Sequence, residues 1–239
     1  MANGTLLEKP LGRLEQGKAR RRLQIIDAAR DIIRETGEAG LSMRTLAARA
    51  SLSLATPYNL FGSKQAVLLE LFSIDGASFD RTFAAQATSN KLSRLFEYLD
   101  MSFNLYRSDP QYYRSLLRTL YRTEDAQLRS GMRKSFSSFL KRLLGDALDA
   151  SYFEPKTSIA LVRRQLFGIF LYAVQEWVYG TISLERARLE TGFGYSLILL
   201  GVVADHAKPE LIDRRNRLRN ALDQMIAGEK EVVLHLASE

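Results

Sequence analysis

Between Ser42 and Lys64 the sequence sets two helical patterns so close together that only a turn fits between them. Met43, Leu46, Ala47 and Ala50 fall at i, i+3, i+4 and i+7, one apolar face of a short helix that Ser42 can cap. Beyond Ser51-Leu52-Ser53, Ser53 can cap a second helix, where Pro57 near the start removes few helical N–H bonds. Two short helices joined by a three- or four-residue turn form a helix-turn-helix. The second helix leaves Leu54, Thr56, Tyr58 and Asn59 to face a partner. Polar side chains at the N-terminal end of such a helix suit base edges and phosphates.

Charge points the same way. The chain of 239 residues carries a net charge of +7, and eleven Lys/Arg against five Asp/Glu between Lys9 and Lys64 place six of those charges in its first quarter. A basic patch of this kind favours a polyanion. The hydrophobic share of 46% and the charged share of 26% are those of a soluble globular protein with a real core. There are no cysteines, which excludes disulfides, removes the commonest zinc sites and fits a cytoplasmic location. The N-terminus lacks an apolar signal core, and the longest apolar run, Leu197 to Ala204, falls well short of the ~20 residues a bilayer needs.

Along the chain, residues 1–17 read as a flexible basic arm. Ile25, Ile26, Ala29, Ile32 and Ile33 then mark a helix that Gly37 ends, opened by Lys18, Arg20, Arg21 and Arg22. Basic residues there oppose the helix dipole and gain nothing locally, so phosphate or minor-groove contact is the better use for them. Ser63 caps a longer helix through Val67, Leu68, Leu71 and Phe72, broken at Thr88-Ser89-Asn90. Further helices follow over Leu92–Tyr106, from Asp109-Pro110 through Leu120, from a Thr123 cap to about Leu148 with Phe136 and Phe139 inward, and over Lys156–Thr181. Ser183 caps the next, in which Gly192, Gly194 and Gly201 allow close backbone approach, and Pro209 opens a last one that Gly228 ends. No period-2 alternation stands out, so the fold expected is all-α: a three-helix helix-turn-helix domain at residues 18–72, followed by a larger helical bundle at 73–239.

With these helices in place, the stretch from about Arg20 to Phe72 resembles the DNA-binding domain of the tetracycline-repressor (TetR-like) family of bacterial regulators. The resemblance rests on Ala50-Ser51-Leu52-Ser53-Leu54-Ala55-Thr56-Pro57-Tyr58-Asn59-Leu60-Phe61-Gly62-Ser63-Lys64 and the leucine that follows. Ser51 stands where the family often has Gly, Pro57 where an aliphatic residue is common, and Leu60 in place of a frequent aromatic or His. Leu54 is apolar where polar residues are usual, and could touch a thymine methyl. By position, Thr56, Tyr58 and Lys64 resemble the family's phosphate-gripping residues, and Ser42 and Thr45 its backbone contacts. Arg44 suits guanine and Asn59 suits adenine.

Eighteen of the 23 aromatic residues lie between Phe96 and Tyr195. The resemblance implies an effector pocket in this region, and Phe103, Tyr106, Tyr113, Leu117, Tyr121, Phe139, Phe170 and Gln175 are the lining it suggests. It also implies a homodimer, formed by the wide apolar arc of residues 161–178 and the glycine-containing helix after it. Glu176 is expected to pair with Arg163 or Arg164, or to lie at the dimer edge. The function implied is a ligand-responsive repressor of a palindromic operator on double-stranded DNA, released by a small, largely apolar effector. The alternatives are a helix-turn-helix regulator without an effector, and an all-α carrier or enzyme. The last has little behind it: His206 and His235 are the two histidines, in no metal-ligand spacing, and no Gly-rich phosphate loop occurs. No catalytic residues, cofactor, metal or membrane are expected.

Overall fold

The computed structural model describes residues 12–86, 90–122, 124 and 126–236. Its chain parts into two compact units at Phe72 and Ser73. Ten α-helices make up the described residues, with two short 3₁₀ turns and one isolated antiparallel bridge between Phe153 and Val203. The expected Thr123 cap, and Thr88-Ser89 of the expected break, lie outside those residues, and so does most of the expected arm.

In the N-terminal unit, α1 (Arg13–Thr36) crosses α2 (Met43–Arg49) and α3 (Ala55–Phe61), and the start of α4 (Lys64–Ala84) closes the group. The core is the inner face of each: Ile25, Ile26, Ala29, Ile32 and Ile33 of α1, Leu46 and Ala47 of α2, Pro57 of α3, and Val67, Leu68 and Leu71 of α4. The first turns of α1 correct the arm expected at residues 1–17, since Arg13 to Gly17 are already helical. Glu15 in that first turn suits the helix dipole, which the basic cluster behind it does not.

α2 begins as its sequence requires. The Ser42 hydroxyl accepts the Thr45 N–H at 3.1 Å, and the Ser42 N–H donates to Thr45 Oγ1 at 2.9 Å, a reciprocal capping box. It ends on Ser51, at a φ of +55°, with the Leu52 N–H donating to the Ala47 carbonyl at 2.9 Å and the Ser51 N–H to that of Ala48 at 3.2 Å. This is the bonding of a Schellman ending with serine in the left-handed position that glycine fills most easily. Ser151, at a φ of +60°, ends the helix Ala126–Asp149 in the same way. The start of α3 differs from expectation. Leu54 has already turned helical, and the Ser53 hydroxyl meets Thr56 Oγ1 at 2.9 Å instead of capping a backbone N–H.

The C-terminal unit contains the rest of α4, then α5 (Ser93–Ser108), α6 (Pro110–Arg122), α7 (Ala126–Asp149), α8 (Ile159–Tyr179), α9 (Leu184–Leu200) and α10 (Lys208–Leu236). Side-chain caps set their starts. Asn90 Oδ1 accepts the Ser93 N–H at 2.6 Å, Asp109 Oδ1 that of Tyr112 at 3.3 Å, and Ser183 Oγ that of Arg186 at 3.1 Å. Two of the three expected close approaches occur: a β-carbon on Gly194 would lie 2.9 Å from Ile169 Cδ1, and one on Gly192 3.2 Å from Leu218 Cδ1. Gly201 is instead the cap of α9, with no tight neighbour. The last helix does not stop at Gly228; it continues to Leu236, because a glycine mid-helix costs only ~1 kcal/mol and no proline follows.

Serine at a positive φ carries strain of about 1–2 kcal/mol, partly offset by the smaller entropy it gives the unfolded chain relative to glycine. Ser51→Gly is therefore expected to raise stability by about 0.5 kcal/mol and Ser51→Val to lower it by about 1–2 kcal/mol in urea unfolding. Equal stability of the Val variant would show that the turn does not hold this conformation in solution.

Candidate nucleic-acid interface and effector region

α3 is a seven-residue helix whose only buried side chain is that of Pro57. Helices this short are not stable alone, so its placement depends on what holds it. Arg22 of α1 does much of this. Its Nη1 donates to the Leu60 carbonyl at 2.7 Å, its Nη2 lies 3.0 Å from Glu70 of α4, and its guanidinium sits 4.3 Å from the centroid of the Phe61 ring. One cation thus satisfies an end carbonyl of α3 and covers its aromatic residue. Of the basic cluster that sequence reasoning assigned to DNA, Arg22 is therefore a structural brace, while Lys18, Arg20 and Arg21 remain exposed. The signal for that role was the long-range pairing with Glu70, which no local pattern carries.

The remaining candidates spread over one outward surface. Leu54 and Tyr58 are each 52% exposed and Asn59 is exposed beside them, one turn apart on α3. Ser42, Arg44 and Thr45 are exposed at the start of α2. Thr56 is half-buried, its hydroxyl shared with Ser53. Lys64 is also half-buried and reaches Glu38 at 3.5 Å, a loose pair that leaves two ammonium protons for an anion. Arg49 is not available: it is held bidentate by Glu35 at 2.7 and 2.5 Å, a contact that pulls the Glu35 carboxyl below its usual range. Arg44, by contrast, makes no hydrogen bond or ion pair among the described residues.

The suggested effector lining divides. Phe103, Tyr106, Tyr113 and Phe170 form one aromatic group, with Phe103 and Phe170 at 5.7 Å, Tyr106 and Tyr113 at 5.3 Å, and Tyr106 stacked on Trp177 at 5.5 Å. Leu117 is buried on the same helix as Tyr113, and Tyr121 is half-buried one turn on, its phenol raised well above the usual range by burial. Phe139 belongs to another group, stacked on Tyr98 at 4.4 Å with Phe83 at 5.4 Å. Its ring partners Phe83 and Tyr98 lie on α4 and α5. Gln175 is exposed on α8. Trp177 stands in the apolar row of α8 as an ordinary core residue and Arg114 reads as a surface cation of α6; only their tertiary contact distinguishes them.

Burial pushes the phenols of Tyr98, Tyr106 and Tyr195 upward too, so these groups stay neutral donors. Asp80 beside Tyr98 is likewise raised by burial, against Arg142 at 4.0 Å. Among the described residues no group of three or more His, Cys, Asp or Glu could hold a metal ion, and no helix is long and apolar enough to cross a membrane.

Residues 25–71 match the sequence family described as bacterial regulatory proteins, tetR family. No curated protein matches the chain. Among solved structures, it is similar to the transcriptional regulator FadR of Bacillus subtilis in complex with stearoyl-CoA, at 22% identity over 75% of this chain and 98% of that one, with a TM-score of 0.61. The Thermus thermophilus FadR, a TetR-family repressor in complex with lauroyl-CoA, is similar at 19% identity over 75% and 94%, TM-score 0.63. SmeT, the repressor of the Stenotrophomonas maltophilia efflux pump SmeDEF, is similar at 18% identity over 77% and 91%, TM-score 0.60.

Removing the brace and removing a phosphate contact should read differently. Arg22→Met is expected to lower stability by about 1–2 kcal/mol and to weaken DNA binding with an unchanged salt slope. Arg21→Met should leave stability alone and reduce the salt slope by about one ion. Titrations at several salt concentrations, beside urea unfolding, distinguish the two; a lower slope for Arg22→Met would move it to the DNA surface.

Proposed function

We propose, for a chain whose residues 25–71 are a tetR-family DNA-binding domain, that it is a dimeric, ligand-responsive repressor whose α3 reads a palindromic operator. The observation that carries this is the outward face of α3. Leu54, Tyr58 and Asn59 are held out by a helix that buries almost nothing of its own, braced from behind by Arg22. A side chain exposed at that cost to helix stability is explained by a partner, and the short helix fits a major groove. In this reading Thr56, Tyr58 and Lys64 grip phosphates, Ser42 and Thr45 touch the backbone from α2, Arg44 and Asn59 address base edges, and Leu54 meets a thymine methyl.

Dimerisation is supported by α8 and α9. Leu161, Tyr172 and Tyr179 of α8 and Leu197 of α9 are 46–62% exposed. A shallow cavity of about 400 Å³ is lined by Gly168, Ile169, Tyr172, Ala173 and Gly194, with Gln165 and Glu190 at its polar side. Large apolar groups around a small-residue depression suit an isologous contact in which each copy fills the other. A two-fold dimer would set its two α3 helices about 34–36 Å apart, or a multiple of it, on one face of the duplex. An effector that binds better to a dimer of different spacing would release the operator by population shift. Two of the similar structures hold acyl-CoA, which together with the aromatic group around Tyr106 makes an acyl chain the apolar part we propose for the effector.

Footprinting on the region upstream of the chain's own gene should show a protected site with two-fold symmetry. Asn59→Ala is expected to relax choice at one base of each half-site, by roughly 1–3 kcal/mol, whereas Lys64→Ala weakens all sites alike and lowers the salt slope. A sequence preference altered by Lys64→Ala with an unchanged slope would reverse these roles. In sedimentation, Tyr172→Glu should convert dimer to monomer and abolish the symmetric footprint; a dimer that survives it would place the interface elsewhere.

A further inference from the structure

Arg114 is a cation without an anion among the described residues. Its Nε is buried and has no hydrogen-bond partner, and its guanidinium lies 5.3 Å from the centroid of the Trp177 ring. Trp177 is itself fully buried and stacks at 15° on Tyr106. Among the described residues Arg114 makes no ion pair, whereas Arg107 holds Glu185 and Arg188 holds both Glu185 and Asp100. α6 carries no acidic residue at all, and the one carboxylate of α8, Glu176, pairs neither with Arg114 nor with the expected Arg163 or Arg164. Arg118, one turn on, is spent on the Val178 carbonyl at 3.0 Å.

Two phenols stand in the same place. Tyr106 is buried and Tyr121 half-buried; the two lie within electrostatic reach of one another, and neither hydroxyl bonds to a protein group among the described residues. Burial keeps both protonated at neutral pH, so each has an O–H to give. A buried guanidinium Nε without an acceptor, beside a wall of Phe103, Phe170 and Trp177, is what folding avoids unless something else completes the set. We infer that Arg114, with the Tyr106 and Tyr121 hydroxyls, forms the head-group site for an effector that ends an apolar chain in a carboxylate. Rather than a neutral drug or an ester, the site takes a monoanion: the carboxylate accepts from the guanidinium fork and from a phenol, while the chain lies along the aromatic group.

This inference rests on the ligand-responsive reading and can fail separately from it. The chain's single tryptophan, Trp177, reports on the site directly through its fluorescence. The intact protein is titrated with submicellar laurate, dodecanol and lauroyl-CoA. Laurate is expected to change Trp177 emission saturably and to bind at least about tenfold more tightly than dodecanol, the difference one charged hydrogen-bonded pair supplies. Arg114→Gln should erase that preference while leaving dodecanol affinity and the melting temperature near wild type, and Arg114→Lys should retain part of it. Dodecanol or lauroyl-CoA binding as tightly as laurate, or a laurate preference that survives Arg114→Gln, would overturn the assignment. Loss of operator binding on addition of lauroyl-CoA, with no response to laurate, would uphold the regulator and overturn the carboxylate site.

Discussion

The cation of Arg22 is the contact on which the exposed face of α3 depends. α3 has seven residues and one buried side chain, so neither its own hydrogen bonds nor its own apolar face can hold it in place. Arg22 supplies what the helix lacks at its C-terminal end, where carbonyls go unpaired and the dipole is negative. It donates to Leu60, covers Phe61 and is steadied by Glu70. The pair with Glu70 is a third exposed and contributes little by itself; its use is to aim the guanidinium. Tyr58 and Asn59 can then remain at the surface, because the work of docking the helix is done by residues on its other side and on its neighbours.

How much of this the sequence discloses depends on the range over which each signal acts. Local signals read true: the Ser42 box, the Asp109 and Ser183 caps and the alternation of inner faces in α1, α2 and α4 are all set within a turn or two. Ser53 misled because two hydroxyls three apart, Ser53 and Thr56, can bond each other as readily as either bonds a backbone N–H. Gly228 misled because a glycine ends a helix only when the chain after it turns away, and α10 continues. Beyond the turn, pattern is silent. Nothing in Lys18-Ala19-Arg20-Arg21-Arg22 marks the last arginine as a brace, since Leu60 and Glu70 are distant in sequence. For the same reason nothing local separates Gln175 and Phe139 from Tyr106, although α8 turns the first to the surface and α7 carries the second to Tyr98.

The two serines at positive φ show a further limit. Ser51 and Ser151 occupy the position that glycine takes at Gly180, where the Thr181 N–H reaches the Glu176 carbonyl in the same Schellman bonding. Three helices end alike, yet a reading by glycine alone recognises one. The carbonyls at the end of each helix need donors whichever residue stands there, and the folded chain bends serine into the left-handed region to provide them.

A common rule connects the outer surface with the aromatic group. Several arginines here are matched: Arg22 with Glu70, Arg49 with Glu35, Arg107 and Arg188 with Glu185, Arg186 with Glu190 and Glu229. Such pairs at the surface add little stability, but they do remove a cation from competition, because an anion arriving from outside would first have to displace a carboxylate. Arg44 and Arg114 carry no such cost. One stands in water at the start of α2, where losing hydration to a base edge or phosphate is compensated by a bidentate contact. The other is half-buried over Trp177, where water already reaches it poorly and an incoming carboxylate gains the more for meeting a charge in a weakly screened place. The difference in burial sets what each can bind. An exposed arginine suits a polyanion whose affinity falls with salt, and a half-buried one beside aromatic rings suits a single small anion with an apolar body.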